Sequence, residues 1–210
     1  MARQSHTRDR LIRTAGELFW RQGYARTGVS EIMRRARATS GSFYHFFPTK
    51  DDLLLAVLDA VEGRVEAEVL GAIETSCSDP VSRVSALADV YRAHTVPNAV
   101  DFGFPLGALV NELGVEQAEA RRRVGEIYEG VIQRVASWFV GSNHRVAELV
   151  VAALEGAALV ALASQSAEAV DTCSSQLSAY VEGLEQGGVE ADEMPPPETA
   201  GREIRDWKAW

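Results

Sequence analysis

The side chains best suited to chemistry lie in one stretch, Thr39-Ser-Gly-Ser-Phe-Tyr-His-Phe-Phe-Pro-Thr-Lys50. Ser40, Gly41 and Ser42 are small or polar residues at the start of a short helical segment, the types that let a helix approach a DNA major groove closely. Their backbone N–H groups also point toward phosphate. Tyr44 and His45 each join a flat ring to a hydrogen-bond donor, which suits a phosphate or a base edge. Lys50 supplies a point charge beside a polyanion backbone. This is the chemistry of binding rather than of bond making. The rest of the chain carries no Gly-rich phosphate loop, nucleophile elbow or Cys/His metal spacing. His6, His45, His94 and His144 are scattered and lack acidic partners at ligand spacing. The chain therefore reads as a non-enzyme with no cofactor and no metal site.

The elements that must hold those residues follow from periodicity and caps. Residues 1–6 form a polar arm, read as disordered. Thr7 can cap a first helix over about 7–22, in which Leu11, Ala15, Leu18 and Phe19 recur at helical spacing and Gly23 supplies the stop. A second helix begins near Gly28–Val29, with Ile32 and Ala36 inward and Arg34 and Arg35 outward. A three-residue connection, Arg37-Ala38-Thr39, leads to a third helix that Thr39 can cap and Pro48 ends. Thr49, with Asp52 three residues on, starts a fourth. Two short helices joined by three residues make a helix-turn-helix. Phe43 and Phe47 fall one turn apart on its inner side, and with Phe46 they read as core.

Charge divides the chain. Residues 1–50 hold ten Lys/Arg and three Asp/Glu, net +7; residues 51–210 hold eleven and twenty-seven, net -16, which together give the -9 of the whole. A basic head on an acidic body implies that only the head meets a polyanion. Cys77 and Cys173 are too few and too far apart for a disulfide framework, and read as small hydrophobes in a reduced cytoplasmic protein. Arg3, Arg8, Asp9, Arg10 and Arg13 interrupt any apolar leader. The longest apolar stretch, Val146–Ala163, contains Glu148 and Glu155 and reads as a buried or interface helix, with no membrane partner.

The body reads as helices throughout. The fourth helix continues to about Thr75 as a strut, followed by a break at Ser76–Pro80. Further helices span about 81–95, 106–113, 116–140, 144–166 and 168–186, with a loop at Val96–Pro105. Arg121-Arg122-Arg123 sits among Glu116, Glu119, Glu126 and Glu129 and reads as a solvated charged face. The helix at 144–166 is apolar almost all round and must be covered on every side; Ala153, Gly156, Ala157, Ala161 and Ala163 would let a second subunit come close. Residues 188–210, with Pro195-Pro-Pro197, Trp207 and Trp210, read as a disordered tail.

Taken together, Gly23-Tyr24, Thr27, Val29, Glu31-Ile32, Ala36 and Thr39 to Lys50, followed by Leu53, resemble the N-terminal DNA-binding domain of the TetR family of bacterial transcriptional regulators. The likeness covers roughly residues 7–55. It implies an all-α fold: an N-terminal three-helix helix-turn-helix domain at 1–50 (helix from 49 as linker), a helical effector-binding and dimerisation domain at 51–187, and the tail. It implies phosphate contacts from Thr27, Tyr44 and Lys50 and groove contacts from Ser40, Ser42 and His45, with Arg37 and Thr39 of the turn beside them. Arg37 stands where the family usually has Gly. If that residue takes positive φ it costs on the order of 1 kcal/mol, which a phosphate contact could offset. A hydroxyl usual at Gly28 is also absent.

The segment Gly103–Gly114 resembles the start of the ligand domain in lincomycin-resistance-type members. The resemblance implies a homodimer through the last two helices (about 144–186), acting as a repressor on a palindromic double-stranded DNA operator. A small, mainly apolar effector would bind between the helices spanning about 49–166. Tyr91, Phe102, Asn111, Tyr128 and Trp138 are the effector-site candidates, as large or polar groups of that domain; ordinary core packing accounts for each of them equally well. The alternative is a DNA-binding regulator with no small-molecule effector, an activator or one controlled by a protein partner.

Overall fold

Every element among the described residues of the computed structural model, 2–95 and 106–187, is helical. The expected loop at 96–105, with Phe102, and the expected tail at 188–210, with Trp207 and Trp210, lie outside those residues.

The head contains α1 (Ala2–Gln22), α2 (Val29–Arg35) and α3 (Ser40–Phe46). The apolar stripe of α1 is buried as its spacing requires, with Leu11, Ala15, Leu18 and Phe19 all inside. The helix starts five residues before the expected cap, however. Thr7 lies within α1, where its hydroxyl accepts from Arg10 at 3.2 Å. No Pro or Gly interrupts residues 2–10, so the helix runs on beyond its packed stripe. Glycine at position 23 ends it at φ +91°, its N–H bonding Phe19 O at 3.1 Å.

The fourth helix departs from expectation. α4 (Lys50–Arg64) gives way to a π-helical turn at Val65–Leu70 before α5 (Gly71–Ser76) completes the strut. Gly71 donates its N–H back to Glu66 O, and a Cβ there would stand 3.2 Å from that oxygen, so a bare backbone suits the widened turn. Arg134 spans the irregularity, donating to Glu66 at 3.0 Å and to Glu74 at 2.6 Å.

The body continues with α6 (Pro80–Thr95), α7 (Gly107–Val110), a 3₁₀ turn at Val115–Gln117, α8 (Ala118–Ala136), α9 (His144–Ser164) and α10 (Glu168–Glu185). α6, α9 and α10 pack on one another, α8 on α4 and α9, and α1 on α4. Trp138 and Phe139 are buried in the turn after α8 rather than in a helix reaching 140. The positive φ of Gly141 and Ser142 reverses the chain there, and Asn143 caps α9.

The arginine run at 121–123 is not simply solvated. Arg123 crosses to α4, donating to Asp59 at 2.9 Å and to Glu62 at 3.2 Å, while Arg122 pairs with Glu126. α9 buries Val146, Val150, Val151, Leu154, Ala158 and Ala161 against its neighbours. Its other side leaves Leu149 48 % and Val160 56 % exposed. Ala152, Gly156 and Ala163 are exposed with them, forming an apolar stripe at three- and four-residue steps.

Candidate nucleic-acid interface

The head's presentation of α3 begins with two local devices. The end of α2 carries paired 6→1 and 5→2 hydrogen bonds, Ala38 N to Met33 O at 2.9 Å and Arg37 N to Arg34 O at 3.3 Å. That closure needs a left-handed residue between them, and Arg37 takes it at φ +50°. Thr39 then caps α3, accepting from Ser42 N at 3.2 Å while the two hydroxyls meet at 2.9 Å. Thr49 and Asp52 form the capping box that opens α4, with Thr49 N donating to Asp52 at 2.8 Å.

α3 consequently shows two faces. Phe43 and Phe47 are buried, and Phe46 packs partly against them. The outer face brings together Ser40, Tyr44 and His45, all exposed, with Ser42 half-buried beside them. Tyr44 stands edge-on to Phe43, centroids 5.2 Å apart, and His45 edge-on to Phe46 at 5.0 Å. Both rings are thus braced from behind while their polar edges face outward. Arg37 and Thr39 are exposed at the entry to the same helix. Six of the eight sequence-derived positions thus lie on α3 or at its entry.

Thr27 is a correction. It is 1 % exposed, donates its hydroxyl to Gly23 O at 2.6 Å and accepts from Gln22 at 3.4 Å. A hydroxyl so enclosed holds the turn after α1 and has no free edge for phosphate.

Lys50 is more constrained than a surface lysine. Its ammonium donates to Tyr24 O at 2.6 Å and sits 3.9 Å from the Tyr24 ring centroid. Burial lowers its pKa, while the carboxylates of Asp51 and Glu112 act in the opposite sense. Tyr24 in turn donates to Asp51, and burial first, then that carboxylate, push its phenol up.

Two supporting residues escaped the sequence reading. Arg10 donates to Ala36 O at 3.1 Å and ties α1 to the end of α2. Gln22 donates to Glu31 at 2.9 Å. That bond first, then Arg35 at 2.9 Å, holds the Glu31 carboxyl below its usual range. The surplus of acceptors at the end of α2 is the one signal that could have pointed to Arg10.

In the body, the effector candidates separate. Tyr91 is buried and donates to Glu155 at 3.1 Å, and Tyr128 also hydrogen-bonds Glu155. Trp138 is engaged elsewhere, donating to Glu74 at 2.9 Å, and Asn111 is exposed after α7. Phe102 lies outside the described residues. Sequence reasoning overlooked Glu155, the buried carboxylate on which the two tyrosines converge. An open cleft of about 810 Å³ lies between α1 and α4, lined by Arg8, Arg13, Asp59 and Arg64 among others, and includes none of these candidates.

Comparison with known proteins bears on the family and the fold. Residues 11–57 match the model for bacterial regulatory proteins of the tetR family, and residues 80–176 match the C-terminal domain of LmrA/YxaF-like transcriptional regulators. The chain is 26% identical to the HTH-type transcriptional regulator LmrA of Bacillus subtilis (strain 168) over 125 residues, 59% of this chain and 65% of that protein. An HTH-type transcriptional regulator from the lacX 3′ region of Lactococcus lactis is 20% identical over 174 residues, 80% of this chain and 89% of its own length. Among solved structures, a TetR transcriptional regulator from Chloroflexus aurantiacus J-10-FL superposes with a TM-score of 0.73 at 23% identity, covering 87% of this chain and 97% of that one.

Proposed function

Since this chain belongs to the TetR family of transcriptional regulators, we propose that it is a homodimeric repressor of a palindromic operator, released by a small, mainly apolar effector. The single observation that carries DNA binding is the outer face of α3, where Ser40, Ser42, Tyr44 and His45 are offered together on a rigid aromatic backing. In this reading Ser40, Ser42 and His45 enter the major groove. Tyr44, Lys50 and Arg37 take phosphates, and Thr39 stands beside them while holding the helix start. The net +7 of residues 1–50 against the net -16 of the rest directs the head, and not the body, to the polyanion.

The division is a head at 1–50, a body at 51–187 and a tail from 188. The exposed apolar stripe of α9 supports pairing of α9 and α10 with those of a second subunit. α9 is also long and apolar enough to cross a membrane by length and composition, but its opposite face is packed into the body. We therefore place the protein in the cytoplasm. Paired heads about one helical turn of DNA apart would engage successive major grooves. An effector held in the body between α4 and α9 and favouring another head separation would weaken binding by population shift. A reading without an effector draws on one observation: Tyr91, Tyr128 and Glu155 already satisfy one another in the body's interior.

The test is binding of the purified chain to the inverted repeat upstream of its own gene, titrated with salt. Each phosphate neutralised should contribute about -0.9 to the slope of log K against log salt. Binding that is absent, or flat in salt, defeats the proposal.

A further inference from the structure

Two features of the segment following residue 105 play no part in the DNA-facing surface, and they stand at its opposite ends. At the start, Glu155 of α9 accepts from Leu106 N at 3.2 Å, from Gly107 N at 3.1 Å and from Tyr91 at 3.1 Å, with Tyr128 as a fourth donor. It is 8 % exposed and has no ion-pair partner among the described residues. Its donors among the described residues are thus all neutral, and two of them are backbone groups of this segment. Gly107 is what permits the approach, since a Cβ there would stand 2.9 Å from Glu155 Oε2.

At the far end, the Glu112 carboxylate lies directly over Gly23, where a Cβ would collide with it. Gly23 is the reversal that closes α1 and precedes Tyr24, the residue whose carbonyl and ring hold Lys50. Glu112 also acts electrostatically on Lys50. Leu106, Leu109 and Leu113 are buried, so the segment is pinned at both ends and between them.

We infer that Glu112, a residue of the body, is a positioning residue for the Lys50–Tyr24 corner of the head, and that the buried Glu155 carboxylate fixes it there through Leu106 and Gly107. The inference rests on the DNA-binding reading of Lys50. The Glu112 carboxylate over Gly23 acts on that ammonium through its charge and so opposes phosphate, which draws on the same charge. Loosening residues 106–107 from Glu155 frees Glu112 to leave Gly23, and the corner is then restrained only by Tyr24 and Asp51. A short rigid segment with one foot in the body and one on the head passes on a change at either end.

The experiment has two arms on the full chain. In the first, hydrogen exchange is followed without DNA in peptides covering 23–28 and 106–113. Glu155→Gln keeps the shape but loses the charge-assisted hold on two backbone amides, and should speed exchange several-fold in both peptides. Gly107→Ala, which pushes the carboxylate away by one methyl, should do the same more mildly and serves if Glu155→Gln does not fold. In the second arm, Glu112→Gln, at an exposed site, should tighten binding to the upstream repeat about two- to fivefold at low salt, the scale of one partly screened charge pair. The control Asp89→Asn, exposed on α6, should not. Faster exchange confined to 106–113, or identical affinities for Glu112→Gln and the control, overturns the inference. A wild-type chain that binds no DNA sinks the DNA reading instead, and the exchange arm still decides the latch.

Discussion

Arg37 allows strain and charge to be separated at a single residue. Its φ of +50° is imposed by the closure of α2, with Ala38 N on Met33 O and Arg37 N on Arg34 O. A non-glycine residue held there costs about 1–2 kcal/mol. Arg37→Gly removes that cost but adds freedom to the unfolded chain worth about 0.5–1 kcal/mol. The net expectation is a gain of about 0.5–1 kcal/mol. For a chain of this length that raises the melting midpoint by about 1–4 °C. Arg37→Ala removes the same guanidinium but keeps the left-handed strain, so its midpoint should stay with the wild type. Both variants lose the positive charge proposed to face DNA, and the salt slope of operator binding should fall by about 1 per subunit in each. Calorimetry on the three proteins, with fluorescence anisotropy across a salt series, reads both effects. If Arg37→Gly melts no higher than Arg37→Ala, the strain argument fails. If neither changes the salt slope, Arg37 does not touch phosphate.

Three further outcomes follow from the geometry. Thr27→Val leaves the Gly23 carbonyl without its hydroxyl donor and should cost about 1 kcal/mol in urea unfolding. The salt slope of DNA binding should stay unchanged, and a drop by 1 would restore Thr27 as a phosphate contact. Burial pushes the Glu155 carboxyl above its unfolded 4.5. The folded state therefore holds the proton more tightly, and this contribution is complete below 4.5 and lost as pH rises through the folded value. The stability difference between wild type and Glu155→Gln should accordingly shift against wild type as pH rises from 4.5, and a pH-independent difference would contradict the assignment. Val160→Glu, in the exposed stripe of α9, should turn the proposed dimer into monomers in sedimentation equilibrium while the isolated subunit keeps its helical signal; an unchanged dimer would move the interface elsewhere.

What the sequence determined by itself is what neighbours in the chain decide. Thr39 and Thr49 were readable as caps because their partners, Ser42 and Asp52, lie three residues on. Phe43 and Phe47 were readable as core because one helical turn separates them, and the three-residue turn with its misfit Arg37 was visible as a count of residues. The helix-turn-helix and its outer face follow from such short-range rules, which hold whatever the remainder of the chain does. Tertiary structure decided the rest. Thr27 has the same composition signal as an exposed threonine, yet the fold closes over it. Arg123 looked solvated among nearby glutamates until the packing of α8 on α4 set Asp59 and Glu62 beside it, more than sixty positions away. Glu155 read as an interruption in an apolar helix. Its meaning depends on donors 48 to 64 residues distant that only the packing of α6 and of the segment at 106–110 against α9 brings within reach. Short-range spacing fixes which side of a helix a residue occupies, whereas what that side meets depends on how the helices are laid together, and no local pattern encodes it.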